Sequence, residues 1–170
     1  TIADLYRGEQ GAEAFSAYAR ARLKPQLERI GWEAGKDEAP NVGVLRAALI
    51  ETLAKLGDGD TIAETEARFA AFVRDPASLP GGIRRAVTRA IAMHADAAMW
   101  ATLAKLAATA PSPLEQRFYL EALTWVEDDA LAQKSLDLAI AAGTPKQYGP
   151  RMIGEIAKHH PDLAWRFVQA

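Results

Sequence analysis

The chain has 170 residues, 49% of them apolar and 25% charged, the balance of a globular protein able to bury a sizeable core. A net charge of −2 leaves no electrostatic footprint for nucleic acid or an anionic lipid surface. With no cysteine there can be no disulfide, thiol nucleophile or cysteine metal site, and no apolar run approaches the ~20 residues that span a bilayer.

The opening Thr1-Ile2-Ala3-Asp4-Leu5 lacks the basic and apolar regions of a signal peptide. The compartment stays open, with the cytoplasm favoured. A start without Met, and an end inside the apolar segment Leu163 to Val168, point to a piece of a longer polypeptide.

From Ala12 to Ile30 the pattern predicts a helix with Phe15, Tyr18, Leu23, Leu27 and Ile30 near one face. Pro25 inside it removes an amide donor and predicts a bend or two pieces. Gly31 is a stop signal, and Glu33 to Asn41 reads as a loop. A second helix follows over 42–56, its stripe made of Val42, Leu45, Leu49, Leu53 and Leu56. After Gly57-Asp58-Gly59, the run Thr61-Ile62-Ala63-Glu64 matches a capping box opening a helix with Ile62, Phe69, Phe72 and Val73. Leu79-Pro80-Gly81-Gly82 breaks the pattern; Ile83, Val87 and Ile91 resume it; Asp96 starts a helix with Trp100, Leu103 and Leu106.

Ser112-Pro113-Leu114-Glu115 combines a capping box with Pro at the first helical position, where no amide partner is lost. Leu114, Phe118, Ala122 and Trp125 form its expected stripe, and Asp128-Asp129 starts the next helix, ending at Gly143. Thr144-Pro145-Lys146-Gln147 repeats the box, with Gly149-Pro150 disturbing the helix before Met152, Ile153 and Ile156. His160-Pro161-Asp162 opens the last segment.

Asp60, Asp96, Asp129 and Asp162 thus recur at spacings of 36, 33 and 33 residues, each between two apolar helical patterns. A period in the thirties built from short helices predicts a helical repeat array, whose units bury their apolar faces against each other. The expected fold is all-α: a right-handed superhelix, or solenoid, of antiparallel helix pairs of the HEAT/armadillo kind. It would form a single repeat domain over 1–170, with a leading kinked helix at 12–31 and pairs at 42–73, 83–108, 113–142 and 145–169. Charge pairs such as Glu51/Lys55 and Glu64/Arg68 are read as a solvated face.

Chemistry-bearing patterns are scarce. His94, His159 and His160 match no metal-binding helix motif, and their positions favour cations at helix ends. The serines lack a nucleophile-elbow context, and Gly57/Gly59 and Gly81/Gly82 follow no strand and match no phosphate loop. Glu127-Asp128-Asp129 is more simply a helix start than a cation site. Trp32, Trp100, Trp125 and Trp165 could form an aromatic platform, with core packing the default. Arg46 stands out, because it shares a face with Val42, Leu49, Ile50 and Leu53. Burial in a pair with a carboxylate across the helix interface is the preferred reading, and a cavity-facing role the alternative. No catalytic or metal-ligating residue is assigned.

Several segments in order resemble a known domain. They are Arg22-Leu23-Lys24-Pro25; Leu27 to Gly31-Trp32; Asn41 to Ile50 with Leu45-Arg46; and Lys55-Leu56-Gly57-Asp58. Ala67-Arg68-Phe69, Ala130-Leu131-Ala132, Leu136 to Ala139 and Leu163 to Val168 continue the set. Together they resemble the C-terminal helical domain of zinc aminopeptidases of the aminopeptidase N and puromycin-sensitive aminopeptidase family. In that family the zinc ligands H-E-x-x-H plus Glu, and the G-x-M-E-N segment, lie in an upstream domain, and neither motif occurs here. The resemblance implies a non-catalytic fragment without a cofactor, zinc belonging to the parent enzyme's catalytic domain. Its implied partners are that catalytic domain and peptide substrates, whose access the helical bowl controls. Terminal repeats could also drive self-association. The competing reading is a free-standing helical adaptor that holds a protein or peptide in its groove.

Overall fold

The computed structural model describes residues 8–170; the reading of Thr1-Ile2-Ala3-Asp4-Leu5 lies outside them. Among the described residues the protein is all-α, with nine α-helices, two short 3-10 turns and no strand. The helices are α1 (Ala12–Ile30), α2 (Pro40–Lys55), α3 (Gly59–Arg74), α4 (Gly81–Met93), α5 (Ala97–Ala108), α6 (Pro113–Ala122), α7 (Asp129–Ile140), α8 (Gly149–Ile156) and α9 (Pro161–Gln169). The chain divides into two compact units, Thr1–Ile91 and Ala92–Ala170.

In the first unit α1 packs on α2 and α2 on α3. Arg46 reaches the end of α1 while Arg20, at its middle, donates to the carbonyl of Leu56 after α2. These crossed contacts make α1 and α2 antiparallel. The core is built from Leu27, Leu49, Ile50, Leu53, Phe69, Phe72, Leu79, Ile83 and Val87. One helix runs through Pro25 rather than two pieces. Of the stripe expected on α1 only Leu27 is buried; Phe15 and Tyr18 are exposed.

Local chemistry explains the junction between α2 and α3. Gly57 takes a left-handed φ of 76°, its amide donates to Ala54 and that of Asp58 to Leu53, the Schellman pattern that closes a helix. Asp58 then opens α3: its carboxylate accepts from the amide of Thr61 at 2.9 Å and from its hydroxyl at 2.8 Å. The cap is therefore Asp58, not Thr61, because the helix starts three residues earlier than the Thr61–Glu64 box implies.

In the second unit α5 packs on α6, α7 on α8, and α9 on both α7 and α8. Its core centres on Val126, Leu131, Ala132, Leu136 and Ile156, with Trp100, Ile153, Leu163 and Phe167 against it. Caps at Asp96, Ser112 and Asp128 each accept the amide three residues on. The expected stripe on α6 is rotated: Tyr119, Leu120, Ala122 and Leu123 are buried, whereas Leu114 is 76% exposed. Trp125 lies in the 3-10 turn Leu123–Trp125 beyond that helix.

The box Thr144–Gln147 opens no helix. The hydroxyl of Thr144 donates to the carbonyl of Leu138, finishing α7. The next helix begins at Gly149, where Pro150, having no amide to satisfy, fits the first turn. Gly149 also sits tight on α7: a Cβ there would stand 2.5 Å from the carbonyl oxygen of Ala139.

Candidate functional site

A dense polar arrangement lies in the first unit, where the segments Lys24-Pro25, Gly31-Trp32, Leu45-Arg46 and Leu56-Gly57-Asp58 meet. Arg46 is 2% exposed. Its Nε donates to the carbonyl of Gly31 at 2.8 Å and one terminal nitrogen to that of Ile30 at 3.1 Å. Both terminal nitrogens grip the carboxylate of Glu38, one of them at 2.8 Å. The carboxylate comes from the loop before α2, not from a facing helix. A guanidinium suits this place because its planar fork serves a carboxylate and two carbonyls at once, and its charge complements the C-terminal end of α1. Hydrogen bonding from Arg46 holds the Glu38 carboxyl below its ordinary range, against the opposing effect of burial.

Beside this clasp, between α1 and α3, runs an open groove of about 400 Å³ lined by Lys24, Leu27, Glu28, Trp32, Asp60, Thr61 and Glu64. Leu27 forms its apolar floor and Trp32 is half-buried at one end. The Lys24 ammonium lies against Asp60 and 3.5 Å from Asp58, and its bond to Asp60 raises its pKa. Burial pushes the Asp58 carboxyl up, but hydrogen bonds from the amide and hydroxyl of Thr61, with the charge and bond of Lys24, outweigh it and bring it below the ordinary value. Arg68 stacks over the Trp32 ring at 5.0 Å and bonds Glu33 at 2.5 Å and Glu64 at 2.7 Å. The four-residue spacing of Glu64 and Arg68 predicts only a solvated pair; the second carboxylate and the indole are brought to Arg68 by folding.

The other singled-out residues do not join this place. Trp100 donates its indole N–H to Ser135 at 2.9 Å, Trp125 lies 5.1 Å from the ring of His159, and Trp165 is 64% exposed rather than in the core. His160 does not face solvent. It is buried at the start of α9, with Nδ1 2.7 Å from an Asp129 carboxylate oxygen and Nε2 2.8 Å from the carbonyl of Val126. It ties the start of α7 to the start of α9. Asp129 is thereby a helix-start acid and a side-chain partner, with Asp128 the cap itself.

Among the described residues no three histidine or acidic side chains converge as a metal site. No helix among the described residues is long and apolar enough to cross a membrane.

Comparison with known proteins places these features in a family. The chain is 26% identical over 152 residues to "Aminopeptidase M1-A" of Oryza sativa subsp. japonica, a match covering 86% of this chain and 17% of that protein. It therefore spans less than a fifth of the length of that relative. The model of the family described as "ERAP1-like C-terminal domain" matches residues 1–170. Over its whole length, this chain belongs to the ERAP1-like C-terminal domain family, and is a C-terminal domain of the aminopeptidase kind.

Proposed function

We propose that the chain is the non-catalytic C-terminal domain of a zinc aminopeptidase, and that it bounds the substrate chamber and controls which peptides enter. The observation that carries this reading is the family match over all 170 residues, on a chain whose described part is all-helical. Supporting it, the polar network between α1, α2 and α3 holds helices together instead of assembling an acid–base pair with a nucleophile. Zinc and hydrolysis belong, on this reading, to another part of the same polypeptide. That part and the peptide substrates are the partners.

Two measurements test it. The purified chain should release no nitroaniline from an aminoacyl-nitroanilide; chelator-sensitive release would overturn the non-catalytic assignment. In the full-length parent, deleting this domain should change KM for long peptides more than for a dipeptide-sized substrate. Equal changes for both would remove the access role.

A further inference from the structure

We propose that the groove between α1 and α3 binds the side chain of an arginine in a peptide, with Glu28 as its ionic partner and Trp32 as its stacking surface. The proposal deepens the access reading above and rests on it only for the source of the peptide.

Charge is the first argument. One cation lines the groove, Lys24, and a second, Arg68, stands behind the lining residues Glu64 and Trp32. Each is shared by two carboxylates, Lys24 by Asp58 and Asp60, Arg68 by Glu33 and Glu64. Glu28 lies on the wall, exposed, and makes no ion pair among the described residues. The groove's lining holds three carboxylates, Glu28, Asp60 and Glu64, against one cation, Lys24, a local excess of two negative charges. A cationic occupant would relieve that repulsion, whereas an anion would meet it.

Shape and chemistry narrow the cation. A metal ion needs converging oxygen ligands, and Asp58 is already committed to Thr61 and Lys24, and Glu64 to Arg68. The groove instead offers an apolar floor at Leu27 and an indole at Trp32, which suit the aliphatic stem and flat, weakly hydrated head of arginine. The protein already uses the indole this way, since the Arg68 guanidinium lies 5.0 Å from the Trp32 ring centre. About 400 Å³ is ample for one such side chain and leaves the peptide backbone at the rim. Binding to so open a groove should be weak and salt-sensitive.

The test is a titration of the ¹⁵N-labelled chain with the blocked peptide acetyl-Ala-Ala-Arg-Ala-Ala-amide, and with the same peptide carrying the neutral isostere citrulline. The Trp32 indole N–H should shift saturably with the arginine peptide, while the indoles of Trp100, Trp125 and Trp165 stay in place. Glu28→Gln, a surface change, should weaken the apparent Kd about threefold, the scale of one exposed ion pair. The citrulline peptide should shift Trp32 much less at equal concentration. No saturable shift, equal shifts with both peptides, or an unchanged Kd in Glu28→Gln overturns the proposal. Any of these would leave the domain-deletion result on the parent enzyme untouched, so the two readings fail separately.

Discussion

Arg46 of α2 donates to the carbonyl of Gly31, at the end of α1, over 2.8 Å. The same guanidinium holds Ile30 and both oxygens of Glu38, so one side chain ties the end of α1 and the following loop to the next helix. In the middle of α1, Arg20 donates to Leu56, and Lys24, one turn on, stands beside Asp58. Two antiparallel helices are thereby pinned at the middle and the C-terminal end of α1 by charged groups, acting in part on backbone carbonyls that water would otherwise have to satisfy.

Substituting Arg46 by Ala should therefore be costly. It leaves Glu38 without its main partner and two carbonyls without theirs, a loss on the order of 3 kcal/mol for a buried pair broken on one side. Arg46→Lys should recover part of this, because an ammonium cannot bridge the carboxylate and both carbonyls as the fork does. Urea denaturation of the two variants checks the order. Unfolding of Arg46→Ala at the parental urea midpoint would show that the clasp contributes nothing.

Acid should loosen the same region. The folded-state pKa values of Glu38 and Asp58 lie below their ordinary values of 4.5 and 3.8. The unfolded chain then binds more protons in this range, so the stabilisation is present above those ordinary values and is lost as pH falls through the lower folded ones. The melting temperature should fall as pH drops below 4.5. In Glu38→Gln that acid-dependent fall should be shallower. Superimposable acid profiles for parent and variant would refute the assignment.

In the second unit the sensitive backbone position is Gly149. A methyl group there would stand 2.5 Å from the Ala139 carbonyl oxygen, and a backbone atom cannot swing aside as a side-chain tip can. Gly149→Ala should cost about 2 kcal/mol, the range of overpacking, despite the better helix propensity of Ala. Gly154→Ala, one turn along α8 with nothing within 4 Å, is the control and should be neutral or stabilising. Equal midpoints for both variants in urea would contradict the close approach.

Legibility in the sequence followed the range of the interaction. Ser112-Pro113-Leu114-Glu115 states a helix start in four residues, and the structure uses it because cap and amide partner are three apart. Thr144-Pro145-Lys146-Gln147 has the same form but is spent on the Leu138 carbonyl behind it, a competition that a local pattern does not display. The Asp period is real in sequence yet mixed in role: Asp96 is a cap, Asp129 the first helical residue after the cap Asp128, and Asp60 and Asp162 lie in first turns. The burial of His160 was missed because its partners, Val126 and Asp129, lie 34 and 31 residues away. Its N-cap place before Pro161 was the available signal.

By itself, then, the sequence determined an all-helical chain, most of its helix limits and its family-like segments. Helical periodicity, glycine stops and caps act within one turn, where chain neighbours are also spatial neighbours. Only the tertiary structure decided that Arg46 closes on Glu38 and Gly31, that Leu114 and Trp165 face water, and that Glu28 and Trp32 share a groove with Asp60. The physical reason is packing: which face of a helix is buried, and which charge meets which, depends on partners brought from distant parts of the chain.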